Sequence, residues 1–454
     1  MAYQSEKINA WAKRIVAEGV IDKELYDRYK VNRGLRDLNG KGVLTGLTEI
    51  SEVNAKREVH GELVPTEGEL YYRGYNVYDL VDGFTGERRA GFEETCYLLL
   101  FGALPTESEL AEFRKELSAL RALPENFVQD FIMKSPTKDV MNSMARSVLT
   151  LYSADETAEK TDIPSVLMQC LSIIAKMPQL ALCGYQVSEY FHQGAEQLIL
   201  HDPDPSLSTA ENILHMLRKD SKYTPLEAEL LDLALVLHAE HGGGNNSSFT
   251  MHVVTSSGTD TYSAFAASIG SLKGPKHGGA NVKVCAMMDD LKKNVSDITD
   301  EEQVKQYLIK LINKEAFDKS GLVYGIGHAI YSKSDPRAVI LKHFARELAH
   351  EKGMEKEFYL HETVARLAPE LIAEKRKMYK GVSPNVDFYS GFVYRMLGLP
   401  DALFTPLFAV ARTAGWAAHR LEEIINGNKI IRPAYMAVLP KRKYKTMPER
   451  EREE

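Results

Sequence analysis

Residues 224–238 read TPLEAELLDLALVLH. Thr224 is a capping residue, Pro225 suits the first helical position, and Glu227 completes a T-x-x-E capping box. Leu226, Leu230, Leu233 and Leu237 then recur at helical spacing, which predicts a helix over this stretch. The same grammar recurs downstream. Ser334-Asp335-Pro336 opens a series through Val339, Ile340, Phe344 and Leu348, and small and apolar residues run from about Thr405 to Ile425. Strand signals are few. The best is a short hairpin over 47–73, where Thr48, Ile50 and Val53 lead through a turn to Leu70-Tyr71-Tyr72. There is no internal repeat and no linker of disordered composition. The tail, 440–454, is almost wholly charged or polar and is expected to project from the fold. The expected fold class is mainly α, with a small β element near the start.

Composition sets the outer limits. A chain of 454 residues suggests two or three domains, or two unequal ones, and is long enough to bury a large core. With 44% hydrophobic and 26% charged residues it is ordinary globular material. A net charge of −7 argues against nucleic acid as the main partner, while leaving room for local basic pockets that hold an anion. No run of 18 apolar residues predicts a membrane span. The start, Met1 to Lys7, lacks the apolar core of a signal peptide, and Glu6, Glu18, Asp22 and Glu24 argue against an organelle transit peptide. Cys96, Cys170, Cys183 and Cys285 form no C-x-x-C pair and read as reduced core residues, so a cytoplasmic location is expected.

One region breaks the helical pattern. Residues 241–281, HGGGNNSSFTMHVVTSSGTDTYSAFAASIGSLKGPKHGGAN, punctuate short apolar runs with Gly and Ser. Such a polar crossing is either a functional site or a pair of surface loops. Within it, His277 sits in Gly274-Pro275-Lys276-His277-Gly278-Gly279-Ala280-Asn281, ahead of a helical segment from Val282 to Leu291. An imidazole at a helix N-terminus is held neutral, and can donate to a carbonyl without being a cation. The plain alternative is a histidine capping a helix.

Three further stretches carry chemistry. Gly325-Ile326-Gly327-His328-Ala329-Ile330-Tyr331 places His328 between a glycine turn and a helix start, with Arg337 just beyond Asp335-Pro336. An arginine fork suits a carboxylate, although most arginines are surface ion-pair partners. In Pro384-Asn385-Val386-Asp387, Asn385 can cap a helix and Asp387 falls in its first turn, where an aspartate is held ionised as a carbon-acid base must be. It could equally serve the helix dipole alone. Arg412, in Phe408-Ala409-Val410-Ala411-Arg412-Thr413-Ala414-Gly415-Trp416, stands in an otherwise apolar and small stretch and needs an anion if buried. Arg432 precedes Pro433 and could be a plain surface residue. His238-x-x-His241 lacks the third ligand of a standard metal motif, so no metal is expected there. Gly242-Gly243-Gly244 lacks the frame of a phosphate loop.

Taken together, LHAEHGGGNNSSFT, GPKHGGAN, GIGHAIYSKSDPRA, PNVDFYSG and FAVARTAGWAAH, with LYYRGYNVYDL and FEETCYLLLFGALPTESEL upstream, resemble the citrate synthase family in order and spacing, from about residue 43 to 437. The resemblance implies a homodimer with a large helical domain, here 1–276 and 398–454, and a smaller one at 277–397 that closes over the substrates. It implies condensation of acetyl-CoA, a co-substrate, with oxaloacetate, and no permanently bound cofactor. Carried over residue by residue, His277 resembles the donor to the thioester oxygen. Asp387 resembles the base that takes the methyl proton, and His328 the group that polarises the oxaloacetate ketone. His241, Arg337 and Arg412 resemble oxaloacetate ligands, and Arg432 the arginine supplied by the partner subunit. Asn245 and Ser247 fall where the family orients these groups.

The sequence also departs from the family pattern. Many members have glutamate where this chain has Gly242, and many bacterial members have arginine where it has Ala329. That arginine lies near CoA in such enzymes, and Lys276 and Lys333 are the substitutes to consider for the CoA phosphates. Three rivals stay open: a 2-methylcitrate synthase using propionyl-CoA, since one methylene in a pocket is worth only about 1–3 kcal/mol, a non-catalytic helical scaffold of the same fold, and a metal-dependent hydrolase built on the histidine cluster. The scaffold should have lost one of His277, His328 and Asp387, and all three stand in intact motifs.

Overall fold

The computed structural model describes residues 6–37, 42–59, 62–328, 330–376, 381–427 and 429–450. Two compact units divide the chain, Met1–Leu47 and Thr48–Glu454. The first holds α1 (Glu6–Gly19) and α2 (Lys23–Arg28). Asp22 caps α2 by accepting from Glu24 N at 3.0 Å. The Arg33 guanidinium lies 4.0 Å from the centre of the Tyr26 ring.

The second unit begins with an antiparallel sheet of β1 (Ser51–Val59), β2 (Glu62–Tyr72) and β3 (Tyr75–Asn76). Ser51 pairs with Tyr72 and Val53 with Leu70, and a bulge interrupts the ladder between Asn54 and Lys56. The expected hairpin is there, and its role is larger than its size. The Tyr72 hydroxyl lies 3.1 Å from the carbonyls of both Val236 and Glu240, so the sheet is fastened to the end of a core helix.

Helices follow in the order α3 (Val77–Gly86), α4 (Phe92–Phe101), α5 (Glu107–Ala119), α6 (Val140–Leu151), α7 (Ile163–His192), α8 (Thr209–Leu217) and α9 (Pro225–His238). Then come α10 (Asn246–Thr255), α11 (Thr261–Lys273), α12 (Ala280–Asn294), α13 (Glu301–Ile312), α14 (Pro336–Glu351), α15 (Glu355–Arg376), α16 (Val386–Met396), α17 (Phe404–Asn426) and α18 (Met447–Arg450). The capping box expected at Thr224 and Glu227 is formed, with Pro225 in the first turn of α9. Asp335 caps α14.

The 241–281 crossing differs from its loop-like reading. It is mostly two helices, α10 and α11, capped by Asn245 and Asp260. Their many small residues let them pack closely on each other and on α17 and α6. Apart from the short link between them at 256–260, only the turns at 241–245 and 274–279 are irregular.

Helix α17 is the axis of the core. Its residues from Phe404 to Leu421 are buried except Thr405, and it packs against α4, α7, α9, α10 and α11. Trp416 is fully buried, and burying so large a ring stabilises the unit by about 2–3 kcal/mol. Helix α7 is long and apolar enough to cross a membrane, but it lies largely buried against α6, α8 and α17, as a core helix does. All four cysteines are buried and free. Among α12 to α16, α12 packs on α13 and α16, α14 on α15 and α16, and α13 on α15. Contacts of α14 and α16 with α9, and of α12 with α17, join this group to the rest.

Candidate active site

The turn after α9 is held from below. Glu240 is fully buried, and its Oε1 accepts from Gly242 N at 2.6 Å and Ser51 Oγ at 2.9 Å, with His419 Nε2 at 3.0 Å. Gly242 has φ +89°, a conformation that costs glycine little and other residues much. This turn sets the neighbouring His241, 7% exposed, with Nε2 3.3 Å from the Tyr331 hydroxyl. Burial, then the nearby Arg337, His328, Arg412 and His277, hold the His241 imidazole well below its usual pKa, so it is neutral.

His277 lies in the second irregular turn, just ahead of α12. The turn is pinned by Gly278, whose N donates to Leu272 O at 2.9 Å and whose carbonyl accepts from Thr405 Oγ1 at 3.0 Å. A Cβ at Gly278 would stand 2.5 Å from Leu272 O, so only glycine fits. His277 Nε2 is 3.1 Å from Ser247 Oγ. That hydroxyl also accepts from Trp416 Nε1 at 3.2 Å and lies 3.0 Å from Asn245 Oδ1. Asn245 Oδ1 already receives Ser247 N at 3.2 Å as the cap of α10. The Ser247 hydroxyl has one proton to give: given to Asn245 Oδ1 it accepts from His277 Nε2–H, and given to His277 Nε2 it leaves Nδ1–H as the donor. Burial, and then Arg412, bring the His277 pKa down to about 4. The direction is the one expected from the helix N-terminus, but desolvation is the main cause.

His328 and Asp387 are tied together through backbone. Gly327 N donates to Ser383 O at 2.8 Å and Asn385 N to Gly325 O at 2.9 Å. The Asn385 side chain donates to Gly327 O at 2.9 Å and caps α16 by accepting from Asp387 N at 3.0 Å. His328 Nδ1 accepts from the amides of Ile330 and Tyr331, both at 3.1 Å. This fixes the ring proton on Nε2, the tautomer that can donate to a ketone oxygen.

Asp387 is partly exposed as a residue, but its Oδ1 is enclosed and has no hydrogen-bond partner. Desolvation pushes its pKa up to about 6, against Arg337 and Arg412, which pull it down. A carboxyl with that pKa is still mainly ionised at neutral pH, and burial rather than the helix dominates its shift. It sits near neutrality, where a base for a carbon acid works best.

The arginines divide. Arg337 is 3% exposed, and its Nε and Nη2 bond Asp335 at 3.0 and 2.8 Å, leaving Nη1 uncommitted to that partner. Arg412 is fully buried with Nε on His238 O at 2.7 Å, and its Nη1 and Nη2 have no partner. Burial lowers its pKa to about 10, which leaves it a cation at neutral pH. Arg412 acts electrostatically on His241, His277, Asp387 and Arg337, so these groups lie near one another. His241 and His328 join them with ring centres 5.2 Å apart. Arg432 is exposed on the segment after α17. Lys276 and Lys333 are exposed, and Ala329 lies outside the described residues. His238 and His241 gather no third metal ligand among the described residues.

Sequence reasoning missed Asp335 as a site residue. It caps α14, holds Arg337 and accepts from Val386 N at 3.2 Å, so one carboxylate positions both the arginine and the start of α16. Its place ahead of Pro336 was the available signal, but it pointed only to a cap.

Comparison with known proteins accords with this geometry. Residues 37–434 match the family model described as citrate synthase, C-terminal domain. The chain is 38% identical to a citrate synthase of Haloferax volcanii over 371 residues, covering 81% of this chain and 88% of that one. It is 33% identical to a 2-methylcitrate synthase of Shewanella oneidensis over 380 residues, covering 82% and 90%. Its fold is similar to citrate synthase of Thermoplasma acidophilum, solved as a ternary complex with carboxymethyl coenzyme A and oxaloacetate. The TM-score is 0.75 at 27% identity, over 92% of this chain and 99% of that one.

Proposed function

The chain belongs to the citrate synthase family of condensing acyltransferases, and from that premise we propose that it joins acetyl-CoA to oxaloacetate and hydrolyses the citryl-CoA formed to citrate and CoA. The observation that carries the substrate class is Arg412, a fully buried guanidinium with two unpartnered nitrogens. Such a cation needs an anion, and a carboxylate matches its fork. Oxaloacetate would place its carboxylates against Arg412 and Arg337, with its ketone beside His241 and His328.

Chemistry at the acyl donor then follows from the same groups. Asp387 takes a proton from the acetyl methyl while His277 donates to the thioester oxygen, so the enolate charge is met as it forms. The enol carbon attacks the oxaloacetate ketone, whose oxygen receives the His328 Nε2 proton. Water then cleaves the thioester and releases CoA. Propionyl-CoA is the alternative donor, raised by the lower likeness to a 2-methylcitrate synthase.

We assign the segment 277–397 to a smaller lobe that closes over the larger part of the chain, 1–276 and 398–454, and excludes water during condensation. The working form is a homodimer in which Arg432 reaches the partner's oxaloacetate, a role that its exposure supports. Lys276 and Lys333, both exposed, would meet CoA phosphates. The buried, unpaired cysteines support a cytoplasmic location. The test is Asp387→Asn, which should abolish condensation while oxaloacetate affinity is kept. Substantial turnover in that variant would refute the assignment.

A further inference from the structure

Beneath the turn that carries His241 lies a second histidine pair that the condensation does not use. His252 on α10 and His419 on α17 are 167 positions apart in the chain, and their Nε2 and Nδ1 atoms face each other at 3.1 Å. Each ring's outer nitrogen is held by a carboxylate. His252 Nδ1 is 2.8 Å from Glu423 Oε2, and His419 Nε2 is 3.0 Å from Glu240 Oε1. With those carboxylates ionised, the outer nitrogens carry ring hydrogens, and two inner nitrogens face each other across the gap. A proton now sits there: against burial, Glu240 and Glu422 hold it on His419 by raising its pKa to about 9. Glu422 adds a third atom, since its enclosed Oε2 has no hydrogen-bond partner and lies 3.7 Å from His419 Nδ1.

Something positive must occupy that point, either a proton or a metal ion. The surroundings are those of a metal centre. Ligating histidines almost always give their second N–H to a carboxylate, a backbone carbonyl or water, and here both meet carboxylates. Two nitrogens on a tetrahedral zinc stand about 3.3 Å apart, close to the 3.1 Å found between these two. The three ligand atoms all lie within 4.8 Å of one another, so the widest separation closes by turning the Glu422 carboxylate. Three carboxylates face the pair, from Glu240, Glu422 and Glu423. The cations beyond them are Arg412, toward Glu240, and Arg73, toward Glu422.

We propose that His252 Nε2, His419 Nδ1 and Glu422 Oε2 form a binding site for a divalent transition metal of the zinc class, with water as the fourth ligand. The site is independent of the condensation reading, and no reaction step passes through it. Glu240 shares its Oε1 between His419 and Gly242 N, so the ion would brace the turn on which His241 stands.

The test uses the full chain after treatment with a chelator. Zn2+ is titrated by calorimetry, and Co2+ is followed by its visible d–d absorption. Wild type should bind one Zn2+ per chain and give the intense bands of tetrahedral Co2+. His252→Ala and Glu422→Gln, checked by circular dichroism for an unchanged fold, should each weaken Zn2+ binding by on the order of tenfold to a hundredfold. Absence of stoichiometric binding to wild type, or binding that both variants keep unchanged, would overturn the site and leave a shared proton between the rings.

Discussion

Replacing Asp387 by asparagine should make the unliganded protein more stable while destroying its activity. The carboxyl is lifted from 3.8 to about 6 mainly by desolvation, and its Oδ1 has no partner. A lift of that size means the anion is about 3 kcal/mol less favourable in the fold than in the unfolded chain. The sign follows from linkage. The protonated form favours the fold, and that contribution is fully present below the unfolded value of 3.8 and lost as pH rises through about 6. Asparagine has the same shape and no charge, so it escapes the loss. At pH 8 the variant should gain up to about 3 kcal/mol over wild type, and near pH 3.5 nothing. With unfolding entropy of roughly 2 cal/mol/K per residue, this is a rise of roughly 3–4 °C in a unit of this size. Differential scanning fluorimetry of both proteins from pH 5 to 8 reads it directly. A variant that melts at or below wild type at pH 8, or a difference that does not shrink with acidity, would refute the claim that Asp387 is held in a costly anionic state.

Three further outcomes are expected. Arg412→Met should raise the oxaloacetate dissociation constant by on the order of 10²–10³, since a buried charge partner is lost. The unliganded fold should survive, because only Nε is bonded to protein; calorimetry showing unchanged affinity would contradict this. Ser247→Ala should lower kcat by about 10–100-fold and spare oxaloacetate binding, because the hydroxyl holds the His277 ring through Nε2. An unchanged kcat would show that the ring is held elsewhere. Arg432→Ala and Asp387→Asn subunits, each poorly active alone, should recover activity when mixed into hybrid dimers, and persistently inactive hybrids would remove Arg432 from the partner's site.

What the sequence disclosed, and what it withheld, divides along a physical line. Local grammar was legible. Thr224, Pro225 and Glu227 marked α9, Asp335-Pro336 marked α14, and Asn385 marked α16, because capping depends on residues a few positions apart. Helices α10 and α11 were hidden, since Ser, Gly and Thr read as loop formers until close packing against α17 and α6 is known. The burial that shifts Asp387 was hidden for a related reason. The helix N-terminus is a local signal, whereas the desolvation that outweighs it comes from elements distant in sequence. The pairing of His252 with His419, and of Asp335 with the start of α16, likewise exists only in three dimensions.

The most direct measurement is CoA-thiol release followed with a colorimetric thiol reagent, with acetyl-CoA or propionyl-CoA, in the presence and absence of oxaloacetate. Release that depends on oxaloacetate and is faster with acetyl-CoA is the predicted result. Faster release with propionyl-CoA would make the chain a methylcitrate-forming enzyme, and no release with either donor from folded, dimeric protein would contradict the catalytic account altogether.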